Sequence, residues 1–260
     1  MDTHLLSFAP RFRRMSSLNK DFLRKAEKVT AFNFTPRDFK SLNNKKEIQH
    51  LFNKHIFPHF DLSKTLETVD KDGLNVLIEE LKGENPTEFL KMHNYNLKGI
   101  GPGEVTLFFL VDSGYLGGGS SGGIDLLCSG TDKYEIKAVV VDKNRIASDF
   151  KLRSAVNVAG VMSSLTELQF ATLGVGWPSE ISKRTINQMR ILAPAAFKDI
   201  EITYAAAAAE YFKKHKVIFI NNSKNMSKVG TIEEIKLIRK KDIMIERVTS
   251  GTVKPQIQLT

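Results

Sequence analysis

The chain has 260 residues, 42% of them hydrophobic, enough for one sizeable core or one core with an appended lobe. It carries 38 Lys and Arg against 29 Asp and Glu, a formal charge of +9; this suits a phosphate-rich partner, and it equally suits a merely soluble basic protein. A single cysteine, Cys128, excludes an intrachain disulfide and fits a reducing compartment, and no apolar run has the length of a membrane span.

Residues 1–20 form a basic arm with Arg11, Arg13, Arg14 and Lys20, and they lack the apolar stretch of a secretory signal. Residues 21–94 read as a helical lobe. Amphipathic spacing predicts helices over 21–29, over 44–57 (Ile48, Leu51, Phe52, Ile56) and over 74–81, ending near Gly83. Asn85-Pro86-Thr87-Glu88 is a helix start, with a capping residue followed by proline at the first helical position.

Residues 95–222 hold the predicted core. Pro102-Gly103-Glu104 opens an apolar helix through Val111, and a loop with little side-chain bulk runs over 114–123. Strands are predicted over 124–128 and 134–141, joined by a turn containing Gly130-Thr131-Asp132. Cys128 reads as core packing within the first of these. Helices follow over 149–173 (interrupted by Gly160), 182–192 and 205–214, then a short buried strand over 217–220. The order predicts an α/β fold with a mixed central sheet flanked by helices. The remaining 223–260 end in a β-hairpin, alternating through Ile243, Ile245 and Arg247, turning at Ser250-Gly251 and returning through Val253, Gln256 and Gln258.

The chemistry-bearing residues lie inside the core segment. Glu135 and Lys137 stand two apart on one strand, so they share a face, while Tyr134, Ile136 and Ala138 share the other. Charges on an otherwise apolar strand are costly unless they pair or bind a cation. A surface ion pair on an edge strand would satisfy that rule. So would a hard divalent cation shared with Asp125 and Glu104, the arrangement used to cut phosphodiester bonds.

Glu104, then Ile124-Asp125, then Glu135-Ile136-Lys137 resemble the PD-(D/E)xK nuclease superfamily, which includes restriction endonucleases, recombination nucleases and several phage enzymes. Asp125 matches the motif Asp, Glu135 and Lys137 the acid-x-lysine, and Glu104 the helical Glu before the sheet. Ile124 stands where proline is typical. The resemblance spans about residues 95–222 and implies a restriction-endonuclease-like core. It implies Mg2+ (or Mn2+) held by Asp125, Glu135, the Ile136 carbonyl and Glu104, with Lys137 positioning the attacking water. DNA is the implied substrate, contacted through Lys143, Arg145, Lys151 and Arg153, residues that also read as a solvated basic face. Gln169 matches a polar position that members place near the site; the simpler reading is a solvated helix residue. A homodimer or larger assembly, in the cytoplasm or in a phage particle, accompanies this reading.

Two further classes remain open on the sequence: a structural part of a DNA-handling or virion assembly that keeps a nuclease-like fold, and a SAM-dependent methyltransferase suggested by Gly99-Ile100-Gly101-Pro102-Gly103-Glu104. The second needs an apolar strand directly before the glycines, and the residues there are polar. The glycines at 117–119, 122 and 123 could cradle phosphate but lack the Gly-Lys-Ser/Thr ending of a P-loop. His50, His55 and His59 do not share a helical face, and the Asp70-Lys71-Asp72-Gly73 stretch lacks the acid a calcium loop requires at its twelfth position.

Overall fold

The computed structural model describes residues 38–40, 45–95, 99–117, 124–128, 131–142, 145–147, 160–175, 180–212, 215–223 and 225–259. The basic arm, the 21–29 helix, Lys143, Lys151, Arg153 and most of the glycine-rich loop lie outside them.

Within these residues the chain runs α1 (Lys45–His55), α2 (Lys71–Glu84), α3 (Pro86–His93), α4 (Glu104–Leu110), β1 (Tyr115–Leu116), β2 (Leu126–Cys128), β3 (Asp132–Asp142) and β4 (Arg145–Ala147). It continues through α5 (Val161–Leu173), α6 (Lys183–Leu192), α7 (Pro194–Tyr211), β5 (Lys216–Asn221), β6 (Ile232–Leu237), β7 (Ile243–Thr249) and β8 (Thr252–Gln258). The fold is mixed α/β, as the element order predicts.

The local rules that start the helices are visible. Asp70 accepts from the amide of Gly73 at 2.7 Å and so caps α2, which is the use the chain makes of the calcium-like tetrad. Leu74, Leu77, Ile78 and Leu81 then form its buried stripe. Asn85 accepts from the amide of Glu88 at 3.3 Å, with Pro86 in the first turn of α3. Helix α7 begins earlier than its alanine run suggests, because Pro194 occupies the first turn rather than breaking the chain.

Strand β3 is the centre of the sheet. Its first half pairs antiparallel with β2 and parallel with β5, and β5 pairs antiparallel with β6, giving the mixed order β1-β2-β3-β5-β6. Its far end pairs with β4, which carries the predicted hairpin β8-β7. Ser250 and Gly251 both have positive φ, 50° and 66°, as a tight hairpin turn needs.

Two hydrophobic clusters lie on the two faces. Helices α1 to α4 pack with Leu126, Tyr134, Ile136, Ile218 and Ile220. Helices α5 to α7 pack with Val139, Val217, Phe219 and the inward side of the hairpin. Alternate residues of β5 therefore enter different cores, which explains its unbroken apolar run. Cys128 is buried in the first cluster and its thiol is pushed up to about 11, chiefly by burial, so packing is its role. His50, His55 and His59 are exposed.

The first cluster also fixes α4. Lys45 donates to the carbonyl of Val111 and, at 2.5 Å, to that of Gly114, and Gln49 donates to Phe109 at 2.7 Å. These bonds satisfy carbonyls at the end of α4 that no helical amide reaches. The β5–β6 connection closes on the same core at Gly230, whose φ is 81° and where an added Cβ would lie 2.5 Å from Cζ of Phe89. Gly230→Ala should cost about 2–5 kcal/mol, from left-handed strain plus overpacking. Urea denaturation measures it, and a loss below about 0.5 kcal/mol would contradict this account of the turn.

Candidate active site

The β2–β3 register decides which charges meet. Leu126 stands opposite Tyr134 and Cys128 opposite Asp132, so Asp125, one residue before β2, lies at the end of the ladder beside Glu135 and Ile136. The amide of Asp125 donates to Tyr134 at 2.9 Å. Its Oδ2 accepts from the amide of Ile136 at 2.8 Å, closing a donor that the end of β2 leaves behind. Glu135 and Lys137 share the face opposite the Tyr134–Ile136 side that enters the first core, and Asp125 lies close enough to act on the charge of Lys137. The carbonyl of Ile136 leaves the strand on the same edge as its own amide, beyond the end of β2.

Glu104 comes to the group from α4. Gly103 enters the helix with φ 84°, and Glu104 Oε1 accepts from the amide of Gly101 at 2.8 Å. The glycines thus fold around the carboxylate. Where described, the residues just before this turn belong to α3 and its cap, not to the strand that a methyltransferase motif requires. Glu104 is 8% exposed. Burial, then the charge of Asp125, pushes its carboxyl up to about 8, against the Gly101 bond and Lys137; Glu135 adds to the rise.

Glu135 is 3% exposed. Its Oε1 accepts from Lys137 Nζ and, at 3.1 Å, from the hydroxyl of Tyr211. Its Oε2 is buried and has no hydrogen-bond partner. Burial pulls the Lys137 ammonium down, but Glu135, Asp125 and Tyr211 outweigh it and hold its pKa above the ordinary value. Burial also raises the Tyr211 hydroxyl, which stays a protonated donor at neutral pH. Lys137 Nζ lies 5.6 Å from the centre of the Tyr211 ring, within cation–π range.

The structure thus brings Glu104, Asp125, Glu135 and Lys137 into mutual electrostatic contact. Among the described residues, no group of three or more His, Cys, Asp and Glu side chains is arranged so that it could hold a metal ion. Each acid has turned an oxygen to a protein donor instead: Glu104 to Gly101, Asp125 to Ile136, and Glu135 to Lys137 and Tyr211. Gln169 corrects an expectation. It is 4% exposed, not solvated, and its Oε1 is buried without a partner. Arg145 begins β4 opposite Asp142 and Gln258.

Sequence reasoning missed Tyr211. The available signal was helical spacing: Tyr204, Ala208 and Tyr211 recur at i, i+4 and i+7, and the first two are fully buried. Helix α7 ends at Tyr211 and leads into β5, whose Val217 pairs with Glu135, so the connection itself delivers the tyrosine.

Comparison with protein-family models, curated proteins and solved structures finds no match for this chain.

The buried Glu104 carries a stability signature. Its folded pKa of about 8 lies above the ordinary 4.5, so between those values the folded state holds a proton that the unfolded state has lost. Its contribution is complete below about pH 4.5 and is lost as the pH rises through about 8. In chelator, wild-type stability should fall by a few kcal/mol, in order of magnitude, between pH 5 and 8.5, and Glu104→Gln should flatten that slope. Denaturant titrations at the two pH values read the difference; equal slopes would show that Glu104 titrates normally.

Proposed function

We propose that this chain is a divalent-metal-dependent deoxyribonuclease that hydrolyses phosphodiester bonds. The observation that carries the reading is Glu135 Oε2, a buried carboxylate oxygen with no partner, on a face shared with Lys137, with Asp125 at the end of the same ladder and Glu104 in electrostatic reach. Buried oxygens of this kind are costly to leave unpaired, and the raised pKa of Glu104 reflects the crowding of acids around one lysine.

A hard cation fits that deficit. Glu135, Asp125, Glu104 and the Ile136 carbonyl would hold Mg2+ once the acids turn from the protein donors they meet in this arrangement, and Mn2+ would substitute because it also prefers oxygen ligands. Bound there, the ion would supply Lewis-acid polarisation of a phosphoryl oxygen and a lowered pKa for water. Lys137 would orient the attacking water through an N–H and offset the charge that gathers on the phosphoryl oxygens. Water adds to phosphorus and releases a proton to solvent, the ester P–O bond breaks, and the leaving oxygen takes up a proton from solvent, so the net change is hydrolysis. Asp125 also acts on the backbone. By closing the Ile136 amide it ties the end of β2 to β3 next to Glu135.

The mixed sheet between two helical layers, with the antiparallel β2–β3 pair carrying the charges and β5 parallel beside it, supports a restriction-endonuclease-like core. The formal charge of +9 supports DNA as the substrate.

Plasmid DNA incubated with the protein and Mg2+ should be cut. EDTA should stop the cutting, and Lys137→Ala or Asp125→Ala should slow it at least about a hundredfold. No cutting with any divalent metal, or equal cutting by the variants, would end this reading.

A further inference from the structure

We infer that Tyr211 is a positioning residue for the Glu135 carboxylate, fixing which of its oxygens is offered to the cation; the inference rests on the hydrolase reading above. The geometry is one-sided. The Tyr211 hydroxyl, at 3.1 Å, and Lys137 Nζ both donate to Oε1, and Oε2 of the same group is buried and bare. A carboxylate with two donors on one oxygen cannot rotate freely without losing both bonds, so the other oxygen keeps its direction.

The two donors are not equivalent. Lys137 reaches Glu135 from two positions along the same strand on a flexible stem, and the proposed chemistry draws its Nζ toward water and the phosphoryl group. Tyr211 comes from the last residue of α7, an 18-residue helix whose Phe197, Tyr204, Ala205 and Ala208 are buried in the second core. Its ring packs edge-on against Phe212, with centroids 5.3 Å apart. Tyr204 Oη, on the same helix, donates to the carbonyl of Val253 at 3.2 Å, so the helix is tied to the hairpin as well. When Lys137 turns to its substrate, Tyr211 is the bond that keeps Glu135 oriented. This is the role of an outer partner that orients a metal ligand, and losing such a partner typically weakens metal binding about 10- to 100-fold.

The test uses the full chain. Mn2+ binding is followed by electron paramagnetic resonance, and plasmid cleavage is measured as a function of Mn2+ concentration. Tyr211→Phe removes only the hydroxyl; Tyr211→Met removes the hydroxyl on a different frame and carries the test if the first variant does not fold. Folding is checked by circular dichroism. The expected result is a folded variant whose Mn2+ dissociation constant rises about 10-fold or more, with kcat restored at saturating Mn2+. Unchanged Mn2+ affinity in a folded variant overturns the assignment, and so does a kcat loss that saturating Mn2+ does not repair. Those outcomes leave the hydrolase reading standing. A wild-type chain that binds no Mn2+ and cuts no DNA removes that reading and this assignment together.

Discussion

The bond from Asp125 Oδ2 to the amide of Ile136 is the contact on which the charged group depends. Strand β2 is three residues long, and its ladder with β3 ends at the Leu126–Tyr134 pair. One position further on, β3 presents an amide that needs a partner, and a side chain supplies it where backbone does not. That substitution fixes Asp125 at the end of the β2–β3 ladder, beside Glu135 and within the field of Lys137. Because side chains alternate along a strand, a slip of one residue would send Glu135 and Lys137 into the apolar cluster of α1 to α4 and pull Tyr134 and Ile136 out of it. The hydrophobic demand of one face thus protects the register of the charges on the other.

The charges are arranged by opposition. Glu104 is pushed toward its neutral form by burial and by Asp125, while Lys137 is held charged by the acids around it. Glu135 lies between, with one oxygen doubly bonded to donors and the other bare. Glu104 and Glu135 are both buried, which strengthens the electrostatic interactions they make.

Much of this was legible in the residues. The period-2 split of 134–138 set Glu135 and Lys137 on one face, and the interval from Asp125 to Glu135 suited an antiparallel pair; both follow from local geometry. The capping residues Asp70, Asn85 and Ser182 marked helix starts for the same reason. What was not legible depends on distant chain. Among the described residues strand β6 pairs only with β5, and its two glutamates and lysine hide the pattern that a buried strand would show. Tyr211 acquires meaning only when α7 runs into β5 alongside β3. Gln169 reads as solvated from its own helix, yet tertiary packing buries it at 4% exposure. In each case the deciding neighbour is far away in sequence.

Helix α4 has only seven residues, about 10 Å of rise, with Glu104 at its first turn and the Lys45–Gln49 contacts at its far end. Glu104 accepts from the Gly101 amide at one end of the helix, and Lys45 and Gln49 donate to carbonyls at and beyond the other, so the rod is tied by hydrogen bonds at both ends. Position is transmitted along it as along a short strut. Helix α1 never meets the acidic group, but through Lys45 and Gln49 it holds the far end of the element that carries Glu104. The layer of α1 to α4 therefore serves as the foundation against which one wall of the site is levelled, and the opposite wall, carried by α7, rests on a separate core.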